Sequence, residues 1–443
     1  MTEFKETMYV HSFQVKQGYV VFNTLYGYLD LLSNDLYNKF KKGKYQEIDK
    51  NSLDILLDHR FIINNKLNEE SLFNSYISLY EHNRNKEKNI YILFSYECNF
   101  NCTYCFEHDM KGKEMSNNNL NKIFRYVEKQ LENNKVRLVL YGGEPLLLQN
   151  YNKIEKVLSF AQKNNIKVKI ITNGYLLDVF SKLLLKYKRN IDYLLITLDG
   201  DKDQHDLTRK KKNKEGTYKK IVENILMADK LKIKTKIRVN VGMENQKYII
   251  DFLLHNTICK THDVSIHFIE NNRCLASNTS VIARKNRIII DLYNICLNQK
   301  NLTLEYPPLK QIDLMVNEDD FVLPLFDYCN SSNIILFDND GNMYNCTEAC
   351  EDERFLMRND ETVYYTNDHI CKSCYLAPIC GGGCRWKRYQ SRIENDLSCQ
   401  KEIINLIELF IKNFEYIKID RDKSTFKSHR DFDSEIEMTF KHF

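Results

Sequence analysis

At 443 residues the chain is longer than one average domain, and a size of about 150 residues per domain predicts roughly three domains. Hydrophobic residues make up 43% of the chain and aromatic residues 12%, a composition that excludes a disordered protein. Lysine and arginine number 64 against 60 acidic residues, which gives a net charge of +4. This excess is too small to predict a nucleic-acid partner, because phosphate binding requires a concentrated basic surface.

The N-terminal sequence argues against export. Glu3 and Glu6 stand where a signal peptide requires basic and then apolar residues, and no apolar run is long enough to cross a membrane. We therefore expect a cytoplasmic protein with no membrane partner. In a reducing compartment, the fourteen cysteines are expected to bind metal or act in catalysis rather than form disulfides.

The first 80 or so residues have the pattern of a small α+β unit. Met8–Phe13 and Tyr19–Phe22 are rich in β-forming residues and predict a hairpin. Leu32–Lys42 and Ser52–Asp58 have helical spacing, and Phe61–Ile63 is expected to return as a short strand.

A charged stretch at residues 81–88 predicts a linker, and after it apolar strands alternate with amphipathic helices up to about residue 270. The predicted strands are Ile90–Ser95, Val136–Tyr141, Val168–Thr172, Tyr193–Leu198, Thr235–Val241 and Val264–Ile269, and the predicted helices are Leu120–Leu131, Tyr151–Lys163, Leu176–Tyr187 and Tyr218–Lys230. Six β/α units in series predict a parallel sheet, open or curved into a partial barrel. In such folds the chemistry lies at the C-terminal ends of the strands, where the loops converge.

Three cysteines follow the first of these strands on one short loop. Cys98, Cys102 and Cys105 have the spacing C-x3-C-x2-C, which allows three thiolates to converge on one inorganic cluster. A cube of four irons needs four ligands, so three thiolates leave one iron open to a ligand that is not protein. A zinc knuckle is the alternative, but zinc sites usually have four protein ligands, and His108 lies too close to Cys105 for a relaxed loop.

This spacing, on a loop after a strand, resembles the signature of the radical S-adenosylmethionine (radical SAM) superfamily. The resemblance implies that Cys98, Cys102 and Cys105 are the catalytic cluster ligands, and that the open iron binds the amino and carboxylate groups of SAM. It also implies a reductive cleavage of SAM that gives a 5′-deoxyadenosyl radical. Further matches to the family's motifs close the second, third and fourth strands. The residues to which the resemblance assigns cofactor binding are Tyr104, Gly142, Gly143, Glu144, Asn173, Thr197, Asp199 and Arg209.

A second group of cysteines occupies the C-terminal region, where the hydrophobic periodicity ends. Its members are Cys329, Cys346, Cys371, Cys374, Cys380, Cys384 and Cys399. Paired cysteines alone would favour zinc. Together with the first motif, this spacing resembles the SPASM module, which carries two auxiliary four-iron clusters, three [4Fe-4S] clusters in all. Of the remaining cysteines, Cys259, Cys274 and Cys296 are expected to be structural.

In the SPASM module, the outer auxiliary cluster takes four cysteines and the inner one takes three. The resemblance assigns Cys371, Cys374, Cys380 and Cys399 to the outer cluster. It assigns Cys329, Cys346 and Cys384 to the inner one, which is then one ligand short. Either that cluster keeps an open iron that can bind a substrate thiolate, or Cys350 supplies the missing ligand.

Radical SAM enzymes with this module usually modify peptides or proteins. In the sulfatase-maturing branch an aspartate follows the second module cysteine; here Thr347 stands there and cannot act as a base. Glu348 is the next carboxylate and would face another direction in an extended segment. The branch that acts on ribosomally made peptides often carries an N-terminal leader-recognition element of winged-helix type, which captures the leader as an added strand. Residues 1–86 match that element, although a structural cap is the alternative.

The predicted architecture is therefore α/β: a leader-recognition domain at residues 1–86, a partial (β/α)6 TIM-like barrel at 87–310 and a SPASM domain with a C-terminal helix and tail at 311–443. The expected function is a peptide maturase that abstracts hydrogen from a precursor peptide and forms a thioether or carbon–carbon cross-link. The expected partners are a leader-bearing, cysteine-containing peptide and a flavodoxin- or ferredoxin-type electron donor. The alternatives are a formylglycine-forming sulfatase maturase and a non-catalytic iron–sulfur or zinc scaffold that binds a peptide.

Overall fold

The computed structural model describes residues 3–83, 87–110, 112–269, 279–317, 333–357, 371, 374–384, 386 and 398–413. These residues form a nine-stranded sheet, a three-stranded sheet and a two-stranded sheet. Two of the cysteines singled out above, Cys274 and Cys329, lie outside the described residues.

The nine-stranded sheet has the order β12-β11-β10-β9-β8-β7-β6-β13-β14, and all neighbouring pairs are parallel except the last. Its strands are β6 (Glu87–Leu93), β7 (Lys135–Tyr141), β8 (Lys167–Thr172), β9 (Ile191–Thr197), β10 (Thr235–Val241), β11 (Asp263–Phe268), β12 (Leu302–Leu304), β13 (Ile334–Phe337) and β14 (Met343–Tyr344). The six predicted strands are confirmed. The three others are too short to give a periodic signal.

Helices cover the outer face of this sheet. They are α4 (Asn117–Leu131), α5 (Tyr151–Lys163), α6 (Leu177–Lys186), α7 (Lys202–Thr208), α8 (Tyr218–Lys230), α9 (Gln246–His255), α10 (Thr257–Thr261) and α11 (Thr279–Asn298). In α4, Ser116 caps the first turn by accepting the N–H of Asn119, and Leu120, Ile123 and Val127 turn one apolar face toward the sheet. The four predicted helices are confirmed.

Alternate residues of the strands face in opposite directions, as the pleat requires. In β8, Val168 and Ile170 are fully buried in the core under the helices, whereas Lys169 and Ile171 face the inside of the curved sheet and are half-buried. The inner wall therefore carries polar and charged side chains, and the core of the domain lies between the sheet and its helices.

The N-terminal unit consists of two small antiparallel sheets and three helices. The elements are β1 (Phe4–Glu6), β2 (Val10–Val15), β3 (Gly18–Asn23), β4 (Leu29–Leu32), α1 (Asn34–Lys41), α2 (Lys50–Asp58), β5 (Ile62–Asn64) and α3 (Glu69–Asn83). The predicted hairpin is the β2–β3 pair, to which β4 adds, and the predicted returning strand is β5, which pairs with β1.

The predicted linker at residues 81–88 is mostly wrong. Helix α3 continues through Asn83 and β6 already begins at Glu87, so that only residues 84–86, outside the described part, stand between them. Charged residues in this stretch are compatible with a helix end and a strand start, which is why composition alone misplaced the boundary.

The C-terminal region packs against both other parts of the chain. Strand β13 extends the main sheet beside β6, while α12 (Pro307–Asn317), α13 (Ala377–Cys380) and α14 (Ser398–Asn413) share one apolar cluster with α11 and the N-terminal unit. Tyr9, Phe22 and Phe73 lie in that cluster with Leu406 and Phe410, all of them at most 2% exposed. No helix among the described residues combines the length and apolar character that a bilayer crossing requires.

Candidate active site

The loop after β6 brings the three cysteines of the first motif to the C-terminal edge of the main sheet. Cys98, Cys102 and Cys105 are free and half-buried. The Cys98 sulfur accepts hydrogen bonds from the backbone N–H of Phe100 at 3.4 Å and from the Asn173 side-chain amide at 3.9 Å. Burial raises the pKa of Cys98 to about 12 and that of Cys105 to about 11. Thiols in such surroundings become thiolates when a bound metal compensates the charge, which fits a cluster site.

Backbone hydrogen bonds hold this loop against the segment that follows α7. The N–H of Asn101 donates to the Lys210 carbonyl at 2.8 Å, and the N–H of Thr103 donates to the Thr208 carbonyl at 3.0 Å. The cysteine loop and the chain around Arg209 are thus fixed to each other, although about a hundred residues separate them in the sequence.

Glu144 links the ends of β7 and β8. One carboxylate oxygen accepts the Thr172 hydroxyl at 2.6 Å and the Leu146 N–H at 2.8 Å, and the other accepts the Asn173 N–H at 2.7 Å. The side chain is 2% exposed, and burial raises the pKa of its carboxyl. The described structure thus gives Glu144 a role in positioning Asn173, while its predicted contact with the SAM ammonium stays a prediction.

Gly142 and Gly143 adopt positive φ values of +82° and +49° and approach other parts of the chain closely. A Cβ atom at Gly142 would lie 2.4 Å from the Leu93 side chain, and one at Gly143 would lie 2.3 Å from the Glu97 carbonyl oxygen. The N–H of Gly143 donates to the Glu107 carboxylate at 2.8 Å. These glycines therefore allow the β7 loop to pack under the cysteine loop.

A buried polar network joins the cysteine loop to the ends of β9 and β10. The Tyr104 hydroxyl hydrogen-bonds to the Asp199 carboxylate and receives hydrogen bonds from the Arg209 guanidinium at 2.6 Å and the Asn240 side chain at 3.1 Å. Asp199 also accepts the N–H of Asn240 at 2.9 Å and lies 3.8 Å from the Arg209 guanidinium. Thr197, 6% exposed, ends β9 next to this network.

Arg209 is buried, at 7% exposure, so it is not part of a solvated basic surface, the alternative that its neighbours Lys210–Lys212 suggest. Its guanidinium lies over the Phe100 ring, 5.8 Å from the centroid. Its Nε is buried and has no hydrogen-bond partner among the described residues. An unpaired buried donor on a cation fits an absent carboxylate, such as that of SAM.

Four cysteines of the second group converge around α13. Burial raises the pKa of the Cys380 thiol well above its usual range, and the nearby thiols of Cys399, Cys374 and Cys371 raise it further. The Gln400 amide donates to the Cys374 sulfur at 3.1 Å. Thiols that influence one another's pKa lie near each other, and ligands of one cluster must do so. The set is the one that the sequence assigned to the outer auxiliary cluster, an assignment that stays a prediction.

The inner set is less complete in the described residues. Cys346 and Cys384 are half-buried, and Cys329 lies outside the described part. Cys350 is 4% exposed and lies in an apolar cluster with Tyr96. As placed, no three His, Cys, Asp or Glu side chains of the described residues surround a point suited to a single metal ion. A four-iron cube spreads its thiolates farther apart than one ion does.

The segment after Cys346 bends instead of continuing as a strand, so the expectation that Glu348 faces away does not apply. Burial raises the pKa of Glu107 to about 7, and the negative charge of Glu348 adds to this effect. The Thr347 carbonyl accepts the Tyr141 hydroxyl at 3.4 Å. The C-terminal segment therefore lies against the C-terminal edge of the sheet, close to the first cysteine loop.

Comparison with known families identifies the domain that this edge belongs to. The family model of the radical SAM superfamily matches residues 92–254, from β6 to α9, and includes the cysteine loop and the polar network. Residues 92–254 form a radical SAM domain. The predicted resemblance to the radical SAM superfamily is confirmed for this domain, and the match supports SAM and an iron–sulfur cluster as the cofactors that it binds.

Curated relatives of the radical SAM domain differ in the reactions that their names give. A cysteine-type anaerobic sulfatase-maturating enzyme of Clostridium novyi is 29% identical over 168 residues, which are 35% of this chain and 44% of that protein. The radical SAM cyclopropyl synthase TigE of Paramaledivibacter caminithermalis is 28% identical over 206 residues, which are 40% of this chain and 41% of that one. The chain thus spans less than half the length of these two relatives.

Solved structures share the fold at lower identity. The structure of anSMEcpe with bound AdoMet is 20% identical, has a TM-score of 0.56, and covers 73% of this chain and 98% of its own. The structure of Streptococcus suis SuiB bound to the precursor peptide SuiA is 15% identical, has a TM-score of 0.51, and covers 90% of this chain and 100% of its own. These likenesses, with the parallel main sheet, confirm the predicted fold class.

Two residues next to the radical SAM site carry no motif and were missed from the sequence. Glu107 is 9% exposed, and its carboxylate accepts the N–H of Gly143. Asn240 is the next-to-last residue of β10 and hydrogen-bonds to both Tyr104 and Asp199. A polar residue at the C-terminal end of a predicted buried strand is the signal that could have revealed Asn240.

Proposed function

We propose that this radical SAM enzyme is a peptide maturase that abstracts a hydrogen atom from a precursor peptide and forms a thioether or carbon–carbon cross-link. The observation that carries this proposal is the packing of three parts into one structure. These parts are the radical SAM site, a cysteine-rich segment that adds β13 to the same sheet, and an N-terminal unit that shares an apolar cluster with the C-terminal helices. The division of the chain into residues 1–86, 87–310 and 311–443 is part of the same proposal.

The residues of the first site fit SAM and a cluster held by three thiolates. Cys98, Cys102 and Cys105 would ligate three irons, and a reduced cluster bound there would supply the electron that cleaves the sulfonium bond of SAM. Arg209 would hold the methionine carboxylate through its unpaired Nε, while Tyr104 and Asp199 fix the orientation of its guanidinium. Glu144 would act by holding Asn173 at the edge of the site.

The second group of cysteines is proposed to hold two auxiliary [4Fe-4S] clusters, for a total of three. A cross-link removes two hydrogens from the peptide: one as an atom, and one as a proton with an electron that must leave the site. Auxiliary clusters beside the barrel would accept that electron, and a flavodoxin- or ferredoxin-type donor would reduce the first cluster. Because Cys350 is buried against Tyr96, we propose that it packs the core and that the inner cluster keeps an open iron for a substrate thiolate.

The N-terminal unit is proposed to bind the leader of the precursor. Among the described residues, β2 and β4 each pair only with β3, so both outer strands of this sheet have an edge that an extended peptide could join. SuiB, which shares the fold over most of this chain, was solved with its precursor peptide. This likeness supports a peptide substrate for the present chain as well.

A formylglycine-forming sulfatase maturase is the second candidate, and one observation favours it. The negative charge of Glu348 raises the pKa of Glu107, which lies near the radical SAM site. A carboxylate is therefore close to the site even though Thr347 occupies the position of the family's aspartate. The name of the Clostridium novyi relative points to the same branch.

Mass spectrometry of peptide products separates the two candidates. The anaerobically reconstituted enzyme would be incubated with SAM, dithionite and either a cysteine-containing leader peptide encoded near its gene or a cysteine-bearing sulfatase peptide. Loss of two hydrogens with the peptide chain intact supports the cross-linking maturase. Conversion of a thiol into an aldehyde on the sulfatase peptide, with no change in the leader peptide, would refute it in favour of the second candidate.

A further inference from the structure

The inner wall of the curved sheet carries a band of basic side chains near the radical SAM site. The side chains that face inward there include Arg137 on β7, Lys169 on β8, Lys236 and Arg238 on β10, and His267 on β11. Arg238 pairs in register with Thr197 of β9, so one end of the band is level with that residue of the site, and Lys169 lies lower, beside Tyr193.

Two cations of this band, on β7 and β10, are paired with carboxylates. Arg137 forms ion pairs with Glu87 at 2.9 Å and Asp192 at 3.2 Å, and Lys236 lies 3.6 Å from Asp263. These ion pairs largely balance the positive charges of Arg137 and Lys236.

The other two cations of the band have no such partner. Among the described residues, neither Lys169 nor Arg238 forms an ion pair, and the hydrogen bond that Arg238 makes goes to the neutral side chain of Asn240 at 3.0 Å. Lys169 lies over the Tyr193 ring, 5.3 Å from its centroid, and Lys236 lies 5.0 Å from the same ring. Burial and the charge of Arg238 lower the pKa of Lys169 to about 8.

His267 does not balance the charges of Lys169 and Arg238. Its ring hydrogen-bonds to the Ser265 hydroxyl at 2.8 Å, and burial, with the charges of Arg238 and Lys169, lowers its pKa to about 3. The acidic residue that raises the pKa of Lys169 is Glu305, which is exposed and accepts the Ser265 hydroxyl at 3.2 Å. Two half-buried cations without a carboxylate partner are unfavourable in the free protein, and an anionic ligand would remove this penalty.

We propose that Lys169 and Arg238 bind a carboxylate side chain of the substrate peptide and so select substrates with an acidic residue near the modified one. This inference rests on the proposed peptide maturase function and adds the substrate's charge to it. A carboxylate fits better than a phosphate, because the strands at this level use their backbone N–H groups in the sheet. Phosphate sites usually draw on free N–H groups at loops and helix starts.

The spacing sets where the acidic residue lies. Lys169 precedes Asn173 at the site by four strand residues, which is roughly 13 Å at about 3.3 Å per residue. Arg238, opposite Thr197, is nearer. An extended peptide covers about 13 Å in about four residues and reaches the nearer Arg238 in fewer, so the acidic residue is expected about three to four positions from the modified residue.

Binding of matched peptides tests the inference. Three acetylated, amidated hexapeptides would carry Cys-Ala-Ala-Glu, Cys-Ala-Ala-Gln or Cys-Ala-Ala-Lys, with binding measured by equilibrium dialysis on the reconstituted enzyme in the presence of SAM. The glutamate peptide is expected to bind roughly tenfold more tightly than the glutamine peptide, and the lysine peptide more weakly than both. K169Q should abolish most of this preference, and K169R should keep it. K167Q is the matched control, since Lys167 lies exposed at the start of the same strand and bonds to the Arg189 carbonyl.

A stability measurement tests whether Lys169 has a purely structural role. K169M removes an unpaired, half-buried charge and is expected to melt no lower than the wild type; a clear loss of stability would overturn the inference. The inference would also be overturned if the three peptides bound equally or the glutamate peptide did not bind. It would be overturned as well if the enzyme bound GTP or inorganic phosphate instead of the glutamate peptide and K169Q weakened that binding. Preferential binding of the glutamate peptide, with no 5′-deoxyadenosine formed from SAM with any peptide, would contradict the proposed function but not the charge selection.

Discussion

Replacing Arg209 with glutamine should weaken SAM binding far more than any change in the neighbouring basic residues. Arg209 is buried, its Nε has no partner among the described residues, and its other side is fixed by Tyr104 at 2.6 Å and Asp199 at 3.8 Å. A hydrogen bond between two charged groups is worth about 1.5–3 kcal/mol. Because about 1.4 kcal/mol corresponds to a factor of ten, R209Q should raise the dissociation constant of SAM roughly 10- to 150-fold.

Equilibrium dialysis with labelled SAM on reconstituted protein measures this effect directly, and the iron and sulfide content of each variant must match the wild type. K212Q is the control, because Lys212 belongs to the same basic run but is exposed. It should bind SAM as the wild type does. Unchanged SAM affinity in R209Q, or an equal loss in K212Q, would refute the assignment of Arg209 to the methionine carboxylate.

Three further predictions concern other parts of the structure. C380S should lower the iron content on reconstitution, whereas C350S should leave it unchanged, because Cys350 is buried against Tyr96; a loss of iron in C350S would make it a ligand. G143A should fold poorly or lose SAM cleavage, because its Cβ would lie 2.3 Å from the Glu97 carbonyl oxygen. Circular dichroism and 5′-deoxyadenosine assays check this, with G242A as the control because a Cβ there comes no closer than 3.5 Å to another atom, and wild-type behaviour of G143A would contradict the prediction. Burial lowers the pKa of His205 to about 3, so the metal-free protein should lose stability as the pH falls from about 6.5, since the unfolded chain then binds a proton that the folded one does not. The midpoint of urea unfolding should differ less between pH 7 and pH 5 for H205N than for the wild type. An equal difference in the two proteins would show that His205 does not cause the loss of stability at low pH.

The sequence predicted the radical SAM domain well because two strong signals coincide there. Buried parallel strands such as Tyr193–Leu198 are nearly continuous apolar runs, and the spacing of Cys98, Cys102 and Cys105 is specific for one kind of cluster. Since each motif falls directly after a strand, its place at the C-terminal edge of the sheet follows from the topology alone.

Contacts between distant segments could not be predicted in the same way. Nothing near Glu144 in the sequence indicates that its oxygens bond to Thr172 and Asn173, and Asn240 follows an ordinary strand pattern. Such bonds depend on how strand ends meet after folding. Only the pairing register of the sheet determines which side chains become neighbours.

The N-terminal unit shows a similar limit. Its hairpin follows from local β-propensity, but the apolar cluster that joins Phe22 and Phe73 to Phe410 near the other end of the described chain does not. This shared core also means that deletion of residues 1–86 would expose apolar surface on the C-terminal helices. Point changes are therefore better tests of leader binding than truncation.

Cleavage of SAM by anaerobically reconstituted protein is the measurement on which the assigned chemistry depends most. With dithionite as reductant, the wild type should contain iron and labile sulfide and should release 5′-deoxyadenosine, while C102A should release none. Purified protein that carries zinc instead of iron and sulfide, or a C102A variant that forms 5′-deoxyadenosine at the wild-type rate, would contradict it.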